Sequence, residues 1–350
     1  MVMGTKRWMG GAVVLACLGT LVGAARAEQE ARRFATLAPE GSLWMKQLEQ
    51  GAAEVEKLTD GRIKTKFYPG GAQGGERDVV RKMRLGQLDA AGLTSIGLGM
   101  IYPGIRVLEL PYLWDSVDEI DYVRKKMWPY FQEKFAEKGF ELLAVSDVGW
   151  IHLFSVNDIG SLADLEATKV WAWTDDPVVR KLFKLMGLDG VPLGVPAVQP
   201  ALQSGRIQAA YGSPLAAVAL QWHTRVKYMS AEPFGYGLGA MVMRTEIWEL
   251  GSTEDKEAQI EVGRRRMLTS IKRIRKDNAR ALKAMVKNGL TIIPVPEDVD
   301  AKLREKAEQL RVDLLDDVFT QEELDLVLEY RAEYRANQKK RKVSRGVRLK

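Results

Sequence analysis

Along the 350-residue chain the spacing of apolar positions switches repeatedly between an extended and a helical period. Phe34-Ala35-Thr36-Leu37 reads as a short first strand, closed by a turn at Pro39-Glu40-Gly41. Trp44, Leu48, Val55 and Leu58 then share one helical face, and Asp60-Gly61 ends that helix. Ile63, Thr65 and Phe67 alternate with Lys64 and Lys66, as in a half-exposed strand. Beyond the Pro69-Gly70-Gly71 loop, residues 75–85 predict a second helix. Residues 88–94 are apolar apart from Asp89, as a buried strand requires.

The alternation continues downstream. Residues 140–154 form an extended apolar run, residues 161–165 a helical turn and residues 168–173 a strand. A helix is predicted over 177–186 and stopped by Gly187, and Val191-Pro192 opens the next segment. After Pro214 the pattern is helical to about Tyr228, then extended over 238–244. Ser252-Thr253-Glu254-Asp255 resembles a capping box, Gly289 punctuates the helices, and a final helical run covers 298–338. Strands alternating with helices predict an α/β layer architecture, and the length is that of about two domains. No internal repeat stands out, and no membrane-spanning stretch follows residue 27.

Composition changes this picture at the ends. Lys6 and Arg7, an apolar run over 10–22 and Ala25-Arg26-Ala27 have the layout of a cleavable secretory signal peptide over residues 1–27. The run is shorter than a membrane span of about 20 residues, so a periplasmic protein is expected. A competing reading takes Val14-Leu15-Ala16-Cys17 as a lipoprotein box, although Leu15 fits it poorly. Cys17 is the only cysteine, so the chain after residue 27 offers no disulfide or thiol chemistry.

The net charge of +6 also belongs to the ends. Residues 1–27 carry three basic and no acidic groups, and residues 331–350 nine basic and one acidic. The body between them holds 40 basic and 45 acidic groups, a net charge of −5. A patterned basic face for nucleic acid is therefore not expected. The basic groups from Lys339 to Lys350 read as a solvated, frayed tail, or as a weak contact with an anionic membrane surface at about 1 kcal/mol per group.

Residues 161–214 carry the densest pattern. Asp164-Leu165-Glu166-Ala167-Thr168-Lys169-Val170-Trp171 is followed by a helix, by Val195-Pro196, by Ala201-Leu202-Gln203-Ser204-Gly205 and by Ser213-Pro214. Further matches in order are Phe67-Tyr68-Pro69 leading to Gln73-Gly74-Gly75-Glu76-Arg77, then Leu85-Gly86-Gln87-Leu88-Asp89 and Leu110-Pro111-Tyr112-Leu113-Trp114. Asp277-Asn278-Ala279 with Ala281-Leu282 and Gly289-Leu290 completes the series. Taken together these resemble the periplasmic solute-binding proteins of TRAP transporters, the DctP family, from residue 33 to about 330. The resemblance implies a two-lobed α/β binding protein with an interlobe cleft, chain crossovers and a long connecting helix. It places lobe one at 28–150 plus 237–330 and lobe two at 151–236. It also implies a small organic solute, delivered to a permease of small and large membrane subunits, and no cofactor.

Most of the family resembled holds a ligand carboxylate with an arginine at the position of Trp171. A guanidinium makes two parallel hydrogen bonds to a carboxylate, each worth about 1.5–3 kcal/mol. Ile151, in Gly149-Trp150-Ile151-His152, replaces a second, less widespread arginine. Gly212-Ser213-Pro214 stands where E-N-P is common, Thr94-Ser95 where some relatives carry an acid, and Val195 where an aromatic commonly stacks. Every change lowers charge, and burying a carboxylate without a cation costs several kcal/mol. The expected ligand is thus uncharged, largely apolar, or an amphiphile whose acid head stays near the cleft mouth. Trp171, Trp173, Trp150, Ile151, Tyr211, Phe234 and Tyr236 would wall it, with Gln73, Thr94 and Ser213 orienting it. Two alternatives stay open. Trp171 and Trp173 can be ordinary strand core, or a relocated cation (Lys169, Arg77 or Arg81) can bind an organic acid such as a dicarboxylate.

Other function classes find little in the chain. There is no G-x-S-x-G elbow, G-x-G-x-x-G turn or Cys nucleophile, so an enzyme is not expected. His152 and His223 alone are poor material for zinc, and no metal is expected. Asp175-Asp176 before Pro177 reads as a helix N-cap, with a calcium site as the minor alternative. A periplasmic sensor or interaction subunit without its own transport ligand is the remaining rival.

Overall fold

The computed structural model describes the backbone of residues 31–347 and the side chains of residues 31–340. The signal-peptide and Cys17 readings lie outside the described residues. The chain begins with β1 (Arg32–Thr36), α1 (Leu43–Leu58), β2 (Thr65–Tyr68), α2 (Glu76–Arg84) and β3 (Ala90–Thr94), in the order the periodicity predicts. Next come α3 (Ser95–Ile101), a 3-10 turn at Pro103–Glu109, α4 (Val117–Ala136) and the 16-residue strand β4 (Phe140–Ser155). A second group follows: α5 (Leu162–Ala167), β5 (Trp171–Trp173), α6 (Pro177–Met186), β6 (Val191–Leu193), α7 (Val198–Gln203), β7 (Ala209–Gly212), α8 (Pro214–Ala219) and β8 (Tyr228–Ser230). The chain then returns through β9 (Gly235–Arg244) and α9 (Thr245–Glu249). It ends in α10 (Thr253–Lys287), β10 (Thr291–Ile293), α11 (Glu297–Asp313) and α12 (Gln321–Val347).

Local chemistry sets several of these boundaries. Ser42 and Ser252 cap α1 and α10 by accepting from the backbone N–H groups of Met45 and Asp255. Asp176 caps α6, Pro177 supplies the pre-set φ of its first turn, and Gly187 ends it at φ 75°. Two sequence expectations fail where tertiary contacts intervene. The helix after Pro214 stops at Ala219; Gln221 turns at φ 61° and residues 228–230 pair with β4 instead. The run over 298–338 breaks because Asp316 turns at φ 62° and buries Phe319 in the core.

The tail also departs from expectation. Residues 331–347 continue α12 rather than fraying, and Arg331 Nη1 donates to the Leu113 carbonyl at 2.9 Å. Arg335 Nε donates to Glu119 Oε1 at 2.5 Å. Both contacts tie the start of this segment to the body.

One sheet runs β10-β8-β4-β9-β3-β1-β2, with β7 also paired to β4. A separate parallel pair, β5-β6, sets Trp171 beside Val191. The first part of β4 pairs with β9, and its end pairs with β7 and β8, so one strand runs through both halves of the fold. The β4–β9 register shifts first at Leu142/Ala144 and again at Asp147/Gly149. Gly149 sits there at φ +118°, and a Cβ would lie 2.8 Å from Asn278 Nδ2 of α10. Helix α10, 35 residues long, packs on α1, β4 and α8 and so bridges the same two regions. These are the crossover strand and the long connecting helix of a two-lobed α/β binding fold.

The two faces of the sheet are filled differently. Ala35, Ala91, Leu93, Ala240 and Val242 face a closed core with Val123, Met127 and Phe131 of α4. Alternate residues turn toward α1 and α10, where Phe34, Ala90, Met243 and Trp248 form only a small buried cluster.

Candidate functional site

Trp171 and Trp173, two residues apart on β5, project to one side of the strand. The Trp171 ring stacks on Tyr211 of β7 with centroids 4.7 Å apart and planes at 18°, and on Trp173 at 5.6 Å. Trp222 meets it edge-on at 5.4 Å, while Phe234 meets Tyr211 edge-on at 6.1 Å. Trp171 is 1% exposed, and its Nε1 donates to the Leu193 carbonyl at 2.9 Å. The Tyr211 hydroxyl accepts from the Trp173 backbone N–H at 3.2 Å. Trp171 is therefore packed as strand core and also borders a cavity.

A cavity of about 880 Å³ borders this aromatic stack, within the usual range of small-molecule sites. Of the residues singled out from sequence, Trp171, Trp173, Ile151, Thr94, Tyr211, Phe234 and Tyr236 line it, as does Val195. Gln73, Trp150 and Ser213 lie outside that lining. Gln73 Oε1 accepts from Lys82 Nζ at 2.8 Å, Trp150 packs edge-on against Tyr236, and Ser213 caps α8. The cations proposed as rescuers lie elsewhere too. Lys169 is exposed, Arg77 pairs with Asp175, and Arg81 pairs with Asp78.

Nor is this region stripped of charge, as the substitutions suggest. Arg106, from the 3-10 turn, lines the cavity with its side chain 3% exposed. Its Nη2 donates to Asp176 Oδ1 at 2.8 Å, and its Nη1 lies 3.0 Å from Ser95 Oγ and 3.1 Å from Glu109 Oε2. Glu109 also accepts from the Leu238 N–H at 2.7 Å. Nearby, Glu76 accepts from Thr94 N, Thr94 Oγ1 and Gly97 N at 2.6, 2.7 and 2.7 Å. Burial pushes the Glu76 carboxyl up to about 7 against those three donors. Burial also raises Glu109, opposed chiefly by the charge of Arg106. The sequence signal for Arg106 was an arginine inside the apolar run Gly104-Ile105-Arg106-Val107-Leu108. A charge there either breaks the burial pattern or is itself buried with partners.

Most polar tips in the cavity wall are already engaged. The Tyr236 hydroxyl donates to Asp147 Oδ2 at 2.6 Å, and Asp147 also pairs with Arg124 and Arg275. Thr94 Oγ1 donates to Glu76 and accepts from Ile96 N–H as the cap of α3. Asp175 and Asp176 are held by Arg77 and Arg106, which replaces the calcium alternative with two ion pairs. Among the described residues no group of three or more His, Cys, Asp or Glu side chains is placed to hold a metal. His152 Nδ1 lies 2.8 Å from the Ser230 carbonyl, and burial lowers its pKa. No helix among the described residues is long and apolar enough to cross a membrane.

Residues 34–315 match the family model described as bacterial extracellular solute-binding protein, family 7. A solute-binding protein of Verminephrobacter eiseniae is 23% identical over 244 residues, covering 69% of this chain and 72% of that one. Another, from Chromohalobacter salexigens, is 29% identical over 167 residues, 47% of this chain and 49% of its own length. The fold is similar to that of DctP7, a Bordetella pertussis extracytoplasmic solute receptor binding pyroglutamic acid, with a TM-score of 0.80 at 18% identity. That likeness covers 86% of this chain and 99% of the other. A Chromohalobacter salexigens TRAP periplasmic solute-binding protein with bound D-glucuronate gives 0.78 at 21% identity, with the same coverage.

Proposed function

Since this chain belongs to family 7 of the bacterial extracellular solute-binding proteins, the DctP family of TRAP solute receptors, we propose that its cleft takes an uncharged, apolar or amphiphilic organic solute. Receptors of this family bind small organic solutes outside the cytoplasm and work with membrane permease subunits. The lobes we assign are 28–150 with 237–330 and 151–236, the chain crossing between them in β4 and near the start of β9. Secretion through a signal peptide over 1–27 is part of the same proposal, and secreted protein beginning at Glu28 would support it.

The environment of Arg106 carries the ligand reading. Its guanidinium is already engaged by Asp176 and Glu109. An incoming carboxylate would meet those acids as well. Like charges about 4 Å apart repel by about 4 kcal/mol at an effective dielectric constant near 20. An apolar solute instead gains from contact with the Trp171, Trp173 and Tyr211 wall at about 25 cal/mol per Å² buried.

A second reading takes Arg106 as the relocated cation for an organic acid. Its Nε is buried without a hydrogen-bond partner among the described residues, and the two solved relatives above hold acids. Thermal-shift titration separates the readings, because a ligand at 100 times its Kd adds about 2.7 kcal/mol to folded-state stability. The first reading expects shifts with neutral aromatic or acyl compounds and none with D-glucuronate or pyroglutamate. Acid binding that disappears in Arg106→Gln and survives Trp171→Ala would overturn it in favour of the second.

A further inference from the structure

The cavity does not end at the aromatic stack. It continues along the face of the sheet turned toward α1 and α10, past Phe34, Ala90, Met241 and Met243. Leu48 and Val55 of α1 border it and are only partly buried, although they sit on the helix face turned to the sheet. Small residues border the space: Gly92 on β3, Gly51 and Ala52 on α1, and Gly263 on α10. A Cβ on Gly263 would meet nothing within 4 Å.

A buried cation stands at the end remote from Trp171. Arg32, Phe34 and Thr36 alternate on the same face of β1, and four residues of strand span about 13 Å. Thr36 therefore lies toward the cleft and Arg32 away from it. Arg32 lines the cavity at 8% exposure and forms no salt bridge among the described residues, although the charges of Asp255, held by Arg62, and Asp89, held by Arg33, act on it. Arg32 Nη1 donates to Gln259 Oε1 at 2.5 Å and to Met243 Sδ at 3.7 Å, and its Nη2 is buried with no hydrogen-bond partner among the described residues. Buried charges are ordinarily paired. At the cleft end the arginine is instead paired directly, with Asp176 and Glu109.

We propose that this chamber between the sheet and α1/α10 is a binding site for a long-chain carboxylic acid, its head on Arg32 and its chain directed along Phe34, Met241 and Met243 toward the cleft. The site goes beyond the cleft reading and does not rest on it. The occupant is chosen by two complementary features: an elongated apolar wall and one unpaired cation at its far end.

The test uses the full secreted chain, delipidated, with cis-parinaric acid as fluorescent probe and palmitate or 1-hexadecanol as competitor. Palmitate should displace the probe about tenfold or more better than the alcohol, the effect of one charge-assisted hydrogen bond. Gly263→Phe, which fills the chamber and removes a helix-interior glycine, should weaken probe binding at least about tenfold. Arg32→Gln should erase the preference for acid over alcohol. Absence of probe binding, unchanged binding in folded Gly263→Phe, or a preference that persists in Arg32→Gln would overturn the proposal. D-glucuronate binding in the cleft beside Gly263-sensitive acyl binding would defeat the cleft reading alone. Neutral-solute binding there without acyl binding would defeat the chamber alone.

Discussion

Arg106 Nη2 donates to Asp176 Oδ1 at 2.8 Å, between side chains only 3% and 4% exposed. The bond joins the 3-10 turn at Pro103–Glu109 to the head of α6, where the same Asp176 oxygen accepts from Val178 and Val179 N–H. One carboxylate thus caps a helix and neutralises a buried cation, so its removal harms both.

Asp176→Asn keeps capping ability but leaves Arg106 with only Glu109 as a paired acid. Breaking a buried pair by removing one partner costs about 3–5 kcal/mol, and urea unfolding should show a loss of that order. Arg106→Met combined with Asp176→Asn should lose less than the sum of the single variants, by at least about 1 kcal/mol. Strict additivity would show that the pair contributes no coupling.

Trp171→Ala removes a ring packed between Tyr211, Trp173 and Trp222 and leaves the Leu193 carbonyl with the Thr174 N–H as its donor. A loss of about 3–5 kcal/mol is expected in denaturant unfolding. Trp171→Phe should cost less, since it retains a stacking ring. Equal losses for the two would place the weight on the indole N–H rather than on the stack.

Glu76 sets a pH dependence of definite sign. Its carboxyl ionises at its ordinary value of 4.5 when unfolded and is pushed up to about 7 when folded. Between those values the folded state binds more proton, so this group's contribution to stability falls as pH rises and levels off above 7. The shift corresponds to about 3 kcal/mol. Stability of the wild type relative to Glu76→Gln should therefore decline on that order from pH 4.5 to 7.5. A flat difference would mean that the donors from Thr94 and Gly97 hold the group ionised throughout.

Gly149→Ala should destabilise by about 1–3 kcal/mol, because φ +118° is strained for an L side chain. The added methyl also meets Asn278, which donates to the Val148 carbonyl and accepts from Leu215 N–H. A penalty that persists in an Asn278→Ala background assigns the cost to the backbone. Disappearance of the penalty assigns it to the contact.

Legibility followed the range of the interaction. The limits of α6 could be read from Asp176, Pro177 and Gly187, because capping, a fixed φ and a left-handed stop act within a few residues. The strand at β8 could not be read, since residues 228–230 leave a helical pattern only because β4 and β10 offer ladder partners. Trp171 itself stands in an aromatic cluster that borders the cavity. Reading charge only at the family's ligand positions missed Arg106, whose partner Asp176 lies 70 residues away.

By itself, then, the sequence determined the strand and helix periods, the caps and turns, and the ordered motifs that mark a two-lobed solute receptor. All of these rest on forces between near neighbours in the chain. Only the tertiary structure decided that Arg106 is buried among acids, that Gln73, Trp150 and Ser213 stand apart from the cavity lining, and that the Arg32–Phe34–Thr36 face is hollow. Ion pairing and the filling of space depend on side chains from separate elements meeting in three dimensions, and no segment's own period records whether they meet.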